Sequence, residues 1–115
     1  MPQLITFKNE MIRIDAGKNK IDYSTNSGRS WLQRHTFTSS HGAVIDLLPF
    51  GSEILACTSK GIFYSSNSGR SWLLRYRFTD FAFTSLQENG NELLGLSTKG
   101  LYYSTNSGRS WLKRR

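Results

Sequence analysis

The chain has 115 residues, enough for a single domain with one ordinary core, and carries a formal net charge of +7 at pH 7. It is 37% hydrophobic but 13% aromatic, a balance that favours strands over helices. A single cysteine, Cys57, excludes an intrachain disulfide, and no apolar run approaches the roughly 18 residues of a membrane-spanning helix.

In chain order, the first short apolar piece is "LITF". A turn, "FKNE", leads to a second strand, "MIRID", and a Gly- and Lys-containing turn, "AGKNK", leads to a third that ends at Tyr23. The octapeptide "STNSGRSW" then turns the chain into a fourth strand, "SWLQRHTF". The same order returns as "AVIDLL", "PFGSE", "ILACT", "TSKG", a strand ending at Tyr64, "SSNSGRSW" and "SWLLRYRF". It returns again as "FAFTSL", "QENGNE", "LLGLS", "STKG", a strand ending at Tyr103, "STNSGRSW" and "SWLKRR". Glu10, Glu53 and Glu92 correspond, and each is placed in a turn, as is Glu88. Short strands with regular turn signals and no helical periodicity predict an all-β fold. A four-stranded unit of about 40 residues is the size of one propeller blade. The expected blades cover about 3–38, 43–79 and 82–115, within one domain over 1–115.

Each octapeptide reads as Ser-x-Asn-x-Gly-x-x-Trp between two strands. The sets are Ser24, Asn26, Gly28 and Trp31; Ser65, Asn67, Gly69 and Trp72; and Ser104, Asn106, Gly108 and Trp111. The Asn oxygen can bind backbone N–H groups further along the turn, and the Gly accepts a positive φ. The Trp offers an apolar face to the next unit. These residues are read as structural. The motif resembles the Asp-box, or BNR repeat, Ser-x-Asp-x-Gly-x-x-Trp, of sialidases, sortilin-type receptors and other β-propellers. The resemblance covers nearly the whole chain in three in-phase copies. It departs from the family at one position, where Asn replaces the motif Asp each time. The resemblance implies a structural turn away from any catalytic centre.

Three blades do not close a ring, which typically takes 4–8. The expected architecture is therefore three four-stranded β-propeller blades completed to a six-bladed ring by homodimerisation.

The resemblance to sialidases raises the question of catalysis. Their sites resemble an arginine triad with a Tyr–Glu pair and an Asp acid, and they commonly carry an Arg-Ile-Pro stretch. Here Arg13-Ile14-Asp15 lacks the Pro. Acids are few, and units this short lack long site-building loops. No Gly-x-Ser-x-Gly, P-loop or His-Glu-x-x-His pattern occurs. The expectation is no enzyme activity, no cofactor and no metal, since His35, His41 and one thiol make no ligand set.

The repeats differ where Arg13 replaces Ala56 and Gly95, Asp22 replaces Phe63 and Tyr102, and Asp15 replaces Thr58 and Ser97. Arg13, Asp15 and Asp22 are candidate ligand contacts, or else an Arg13–Asp salt bridge or residues facing solvent. Arg29, Arg70 and Arg109 recur at one turn position and are candidate anion contacts. Arg34, Arg75 and Arg114 and the repeated lysines form further sets of the same kind, and the favoured reading of all these sets is basic residues shielding the outer strand edge.

The function these features favour is a non-catalytic binding or interaction module, with a small multivalent glycan-binding lectin and a vestigial sialidase-like glycosidase as alternatives. The expected partners are a second copy of the chain and a protein or anionic glycan, with nucleic acid less favoured and no membrane. With no signal-like N-terminus and no disulfide, the expected location is cytoplasmic.

Overall fold

In a computed structural model of the chain, residues 4–78 and 81–114 are described. Twelve strands form three four-stranded antiparallel sheets, and no helix occurs among the described residues. The first sheet holds β1 (Leu4–Phe7), β2 (Glu10–Asp15), β3 (Lys20–Ser24) and β4 (Leu32–Thr36). The second holds β5 (Val44–Phe50), β6 (Glu53–Thr58), β7 (Gly61–Ser65) and β8 (Leu73–Arg77). The third holds β9 (Phe83–Asn89), β10 (Glu92–Ser97), β11 (Gly100–Ser104) and β12 (Leu112–Lys113).

Each sheet is a meander in which every strand pairs with the one before it. β5 packs against β1 and β2, and β9 packs against β5 and β6, so the first strands of the sheets stand side by side. The result is a propeller-like fan of 43 × 30 × 21 Å. We call each sheet a blade, its face toward the following blade the front, and its opposite face the rear.

The first turn of each blade is a tight hairpin. Lys8 and Asn9 adopt φ of 49° and 69°, the left-handed pair that matches strand twist, and Gly51 and Gly90 serve the other blades. Glu10, Glu53 and Glu92 are not turn residues, nor is Glu88. The first three open β2, β6 and β10, and Glu88 lies within β9. The reason is an ion pair, described below, that fixes each opening Glu against the fourth strand.

Alternation puts buried apolar residues on both faces of the middle sheet and on one face of each outer sheet. Ile12, Ile14 and Ile21 on the front of blade 1 meet Val44, Leu47, Ile54, Ala56, Phe63 and Trp72 on the rear of blade 2. Leu55, Cys57 and Ile62 on the front of blade 2 meet Phe83, Leu86, Leu93 and Trp111 on the rear of blade 3. The core is therefore two seams between blades. No single blade has a core of its own.

Packing at the second seam explains one glycine. A Cβ at Gly95 would lie 2.5 Å from the Phe83 ring, so the equivalent of Ala56 must shrink further where Phe83 enters. Cys57 is buried at the same seam, its Sγ 3.4 Å from the Phe83 carbonyl, and desolvation raises its thiol pKa.

The fourth strands of the first two blades each supply an arginine that ties a seam together. Arg34 Nη1 and Nη2 donate to both oxygens of Glu10 at 2.6 and 3.0 Å, and Nη1 also reaches the Ser68 carbonyl of blade 2 at 2.8 Å. Its guanidinium lies 3.8 Å from the Tyr23 ring centroid. Arg75 repeats the arrangement with Glu53 at 2.7 and 3.0 Å, the Ser107 carbonyl of blade 3 at 3.1 Å, and Tyr64 at 3.9 Å. These arginines are not edge-shielding surface residues as their sequence context suggests: their side chains are 3% and 4% exposed. Planar bidentate geometry over an aromatic face is what guanidinium does and ammonium does not. Arg114 pairs with Glu92 and stacks on Tyr103 but meets no further blade among the described residues, and it is 37% exposed.

The equivalent arginines should therefore differ in weight. Arg75→Ala leaves Glu53 and the Ser107 carbonyl without their partner and is expected to cost about 3 kcal/mol of unfolding free energy. Arg114→Ala is expected to cost a small fraction of that. Urea unfolding of the two variants beside the unsubstituted chain, at a concentration where single copies are present, checks this, and equal losses there would contradict a seam role.

Candidate functional site

The chemistry-bearing residues fall into three places: the octapeptide turns, the rear face of blade 1, and the seam between blades 1 and 2.

The octapeptide turns are built alike. Ser24 Oγ accepts from the backbone N–H of Asn26 at 3.3 Å and of Gly28 at 2.9 Å, and donates to Asn26 Oδ1 at 2.8 Å. Asn26 Oδ1 accepts from Ser30 N at 3.0 Å, while its amide donates to Ser30 Oγ at 2.8 Å. Trp31 Nε1 closes the turn onto the Gly28 carbonyl at 3.0 Å. The sets around Asn67 and Asn106 repeat these bonds within 0.1 Å. Gly28, Gly69 and Gly108 adopt φ of 87°, 90° and 90°. Their predecessors Ser27, Ser68 and Ser107 are also left-handed, at 65°, 64° and 64°. Two consecutive left-handed residues turn the Ser68 and Ser107 carbonyls toward the arginines of the preceding blade. Sequence reasoning placed the positive φ on the glycine and missed the serine before it.

Arg29, Arg70 and Arg109 donate to the Asn carbonyl of their own turns at 3.4, 3.1 and 3.1 Å. They are exposed and occupy equivalent rim positions, so the structure does not gather them into one pocket. They do contribute to the field at the seams. Glu10 is held below the usual carboxylate range, first by the hydrogen bonds from Arg34, then by the charges of Arg34 and Arg70, against the opposing effect of burial. Glu53 is lowered in the same way by Arg75, with Arg109 adding to it.

On the rear of blade 1, Arg13 and Asp22 are directly opposed across β2 and β3. Arg13 Nε donates to Asp22 Oδ2 at 3.2 Å, and the guanidinium lies 4.3 Å from the Trp31 ring centroid. Lys20 Nζ stands 3.0 Å from Asp22 Oδ1, an ion pair without hydrogen-bond alignment, since that oxygen has no hydrogen-bond partner. Arg13 and Asp22 are thus brought together, while Asp15 ends β2 beside the turn at Gly17. The salt bridge foreseen as one of two readings of Arg13 is present.

Sequence reasoning also missed Asp46. It is fully buried in β5, and its Oδ2 accepts the Leu86 N–H of blade 3 at 2.8 Å. Desolvation raises its pKa, opposed by the hydrogen bonds from Leu86 and Leu47. No pocket forms among the described residues, and none of them group as three or more metal-capable side chains.

The two seams differ in aromatic content. Tyr76, Phe78 and Phe81 stand at the second, with Phe81 stacked on Tyr102 at 4.1 Å. At the first, His35 takes the place of Tyr76 and His41 packs on Phe63 at 5.0 Å. The His35 and His41 rings are 6.0 Å apart, and His35 Nε2 is buried without a hydrogen-bond partner.

No protein-family model matches the chain, and no curated protein matches it. Its fold is similar to that of solved propeller structures. One is an ancestral GH74 enzyme, with TM-score 0.69 and 18% identity over 95% of this chain. A second is the extracellular domain of a protein described as a hybrid two-component system, BT4673, from B. thetaiotaomicron, with TM-score 0.71 and 20% identity over 96% of the chain. A third is YCF48 bound to D1 peptide, with TM-score 0.60 and 16% identity over 95% of the chain. The chain spans 17%, 15% and 36% of those three chains. These likenesses establish the propeller fold.

The first seam should be acid-sensitive. Burial lowers the pKa of His35, with the His41 charge adding to it. The unfolded chain therefore binds that proton more readily, and stability falls as pH drops below the unfolded value of about 6.5 toward the folded one. His35→Tyr, which copies Tyr76, should remove this part of the slope when unfolding free energy is followed between pH 7.5 and 5. An unchanged slope in the variant would contradict the assignment.

Proposed function

We propose that the chain is a non-catalytic binding module built from Asp-box-type blades, with Asn doing the work of the motif Asp. The single observation that carries this reading is how the charged side chains are used. Glu10, Glu53 and Glu92 are clamped by arginines, Asp22 by Arg13 and Lys20, and Asp46 by the backbone of blade 3. Carboxylates tied in this way serve as structural ties and are poorly placed for acid–base work. The Asn turns support the Asp-box assignment because every bond made by the side-chain oxygen is one a carboxylate oxygen would also make.

The binding surface on this reading is the rim bearing Arg29, Arg70 and Arg109, three equivalent exposed cations on rigid turns. An acidic protein surface suits them, and three weak contacts in register gain by acting together. Self-association of two copies would complete six blades and double the set.

Simultaneous replacement of Arg29, Arg70 and Arg109 by Ala is expected to abolish salt-sensitive, saturable capture of an acidic protein while the chain stays folded, with only a modest loss of unfolding free energy from the turn and seam contacts these arginines make. A fluorogenic sialoside assay should show no turnover, and sulfated and sialylated glycan arrays no saturable binding. Saturable glycan binding lost in the triple variant would instead support the lectin alternative. Turnover of the sialoside would overturn the non-catalytic reading.

A further inference from the structure

The two internal seams give a template for a third. In each, an Arg on the front of one blade donates to the carbonyl of the left-handed Ser in the next blade's turn, and that turn's Arg adds its charge beside the opening Glu. Among the described residues each element of this junction is left over once. On the front of blade 3, Arg114 is clamped to Glu92 and stacked on Tyr103, but its guanidinium meets no following turn. On the rear of blade 1, the turn at Ser27 and Gly28 already has the same left-handed backbone as the two engaged turns, and among the described residues no arginine reaches its carbonyl from another blade.

The apolar surfaces follow the same logic. Register places Leu94, Leu96, Leu101 and Tyr103 where blade 1 has Ile12, Ile14, Ile21 and Tyr23 on its covered front. Leu96 is 51% exposed, whereas Ile14 and Cys57 at its equivalent positions are buried. On the rear of blade 1, Leu4 is 53% exposed, whereas its equivalents Leu47 and Leu86 are buried. An exposed apolar face such as the front of blade 3 marks an association site.

One rear feature departs from the template and still fits it. Opposed pairs at the rear are one small and one large residue: Ala56 with Phe63, and Gly95 with Tyr102. Blade 1 keeps the pairing with its sizes exchanged, Arg13 with Asp22. Asp22 pairs with both Arg13 and Lys20, and the planar head of Arg13 lies against Trp31.

We propose that the front of blade 3 docks head-to-tail on the rear of blade 1 in a second copy of this chain, with Arg114 donating to the partner copy's Ser27 carbonyl and Glu92 meeting its Arg29. This names the junction for the self-association put forward above and rests on that reading. A head-to-tail contact uses two different patches and closes when the last front meets the first rear.

The test uses one variant of each patch. Leu96→Arg places a charge on the front, and Leu4→Glu places one on the rear, opposite Arg13. Near-ultraviolet circular dichroism of the tryptophans confirms that each variant is folded. Mass by light scattering and sedimentation should show the unsubstituted chain as a dimer. Each variant alone should associate about a hundredfold more weakly, as loss of a buried interface contact does. An equimolar mixture should regain pairs, because one intact front and one intact rear remain, and Arg114→Ala should weaken the dimer further in salt-dependent fashion. If the unsubstituted chain is monomeric at all concentrations, self-association itself fails. If it is dimeric but Leu4→Glu remains dimeric while Leu96→Arg does not, the fronts meet each other and the head-to-tail junction is wrong. If neither variant loosens the dimer, both faces are wrong and self-association stands without this junction.

Discussion

The guanidinium of the fourth strand is the constraint on which the rest depends. Arg34 and Arg75 each touch three things: a carboxylate at the start of the second strand, an aromatic ring at the end of the third, and a carbonyl in the next blade. The first two contacts lock one blade across its width, and the last fixes where the next begins. Burying such a group is favourable only when every hydrogen-bond direction is met. This is why the turn must offer a carbonyl at that spot, and why its serine accepts a left-handed backbone. The octapeptide and the arginine are two halves of one device.

That device explains how a modest hydrophobic content supports the fold. Each sheet is thin, and its apolar residues are covered only by neighbours, as in other repeat architectures where interfaces carry much of the stability. The middle blade is covered on both faces. The outer blades each show one open face, and these differ in character. Blade 3 shows leucines and an underused arginine, whereas blade 1 shows an ion pair over a tryptophan.

Much of the fold was legible because its signals are local. The strand–turn rhythm repeats three times, and the Ser-x-Asn-x-Gly-x-x-Trp bonds all close within the turn, so residue type and spacing suffice. The seams were less legible because their partners lie more than 20 residues apart. Arg34 is 24 residues from Glu10 and 34 from Ser68, and a basic residue in a fourth strand reads locally as solvent-facing. The signal was present in the joint recurrence of Glu10, Tyr23 and Arg34 as Glu53, Tyr64 and Arg75, since three residue types repeating together imply a shared contact. Asp46 had no such signal: blade 3 has Ser85 at that place, and only the approach of the Leu86 N–H gives the carboxylate its role. The polar substitutions in blade 1 were visible as departures, and register across β2 and β3 turned two of them into a salt bridge.

The central claim is that seams between blades, rather than blades, are the units of stability. Native-state hydrogen exchange on the Leu96→Arg chain, whose blade 3 front stays uncovered, tests it most directly. The amides of β6 and β7 should be the most protected, because both faces of that sheet are packed, with β10 and β11 opening at clearly lower free energy. Equal protection across β2, β6 and β10 would mean that each sheet stands by itself, and the seam account would be wrong.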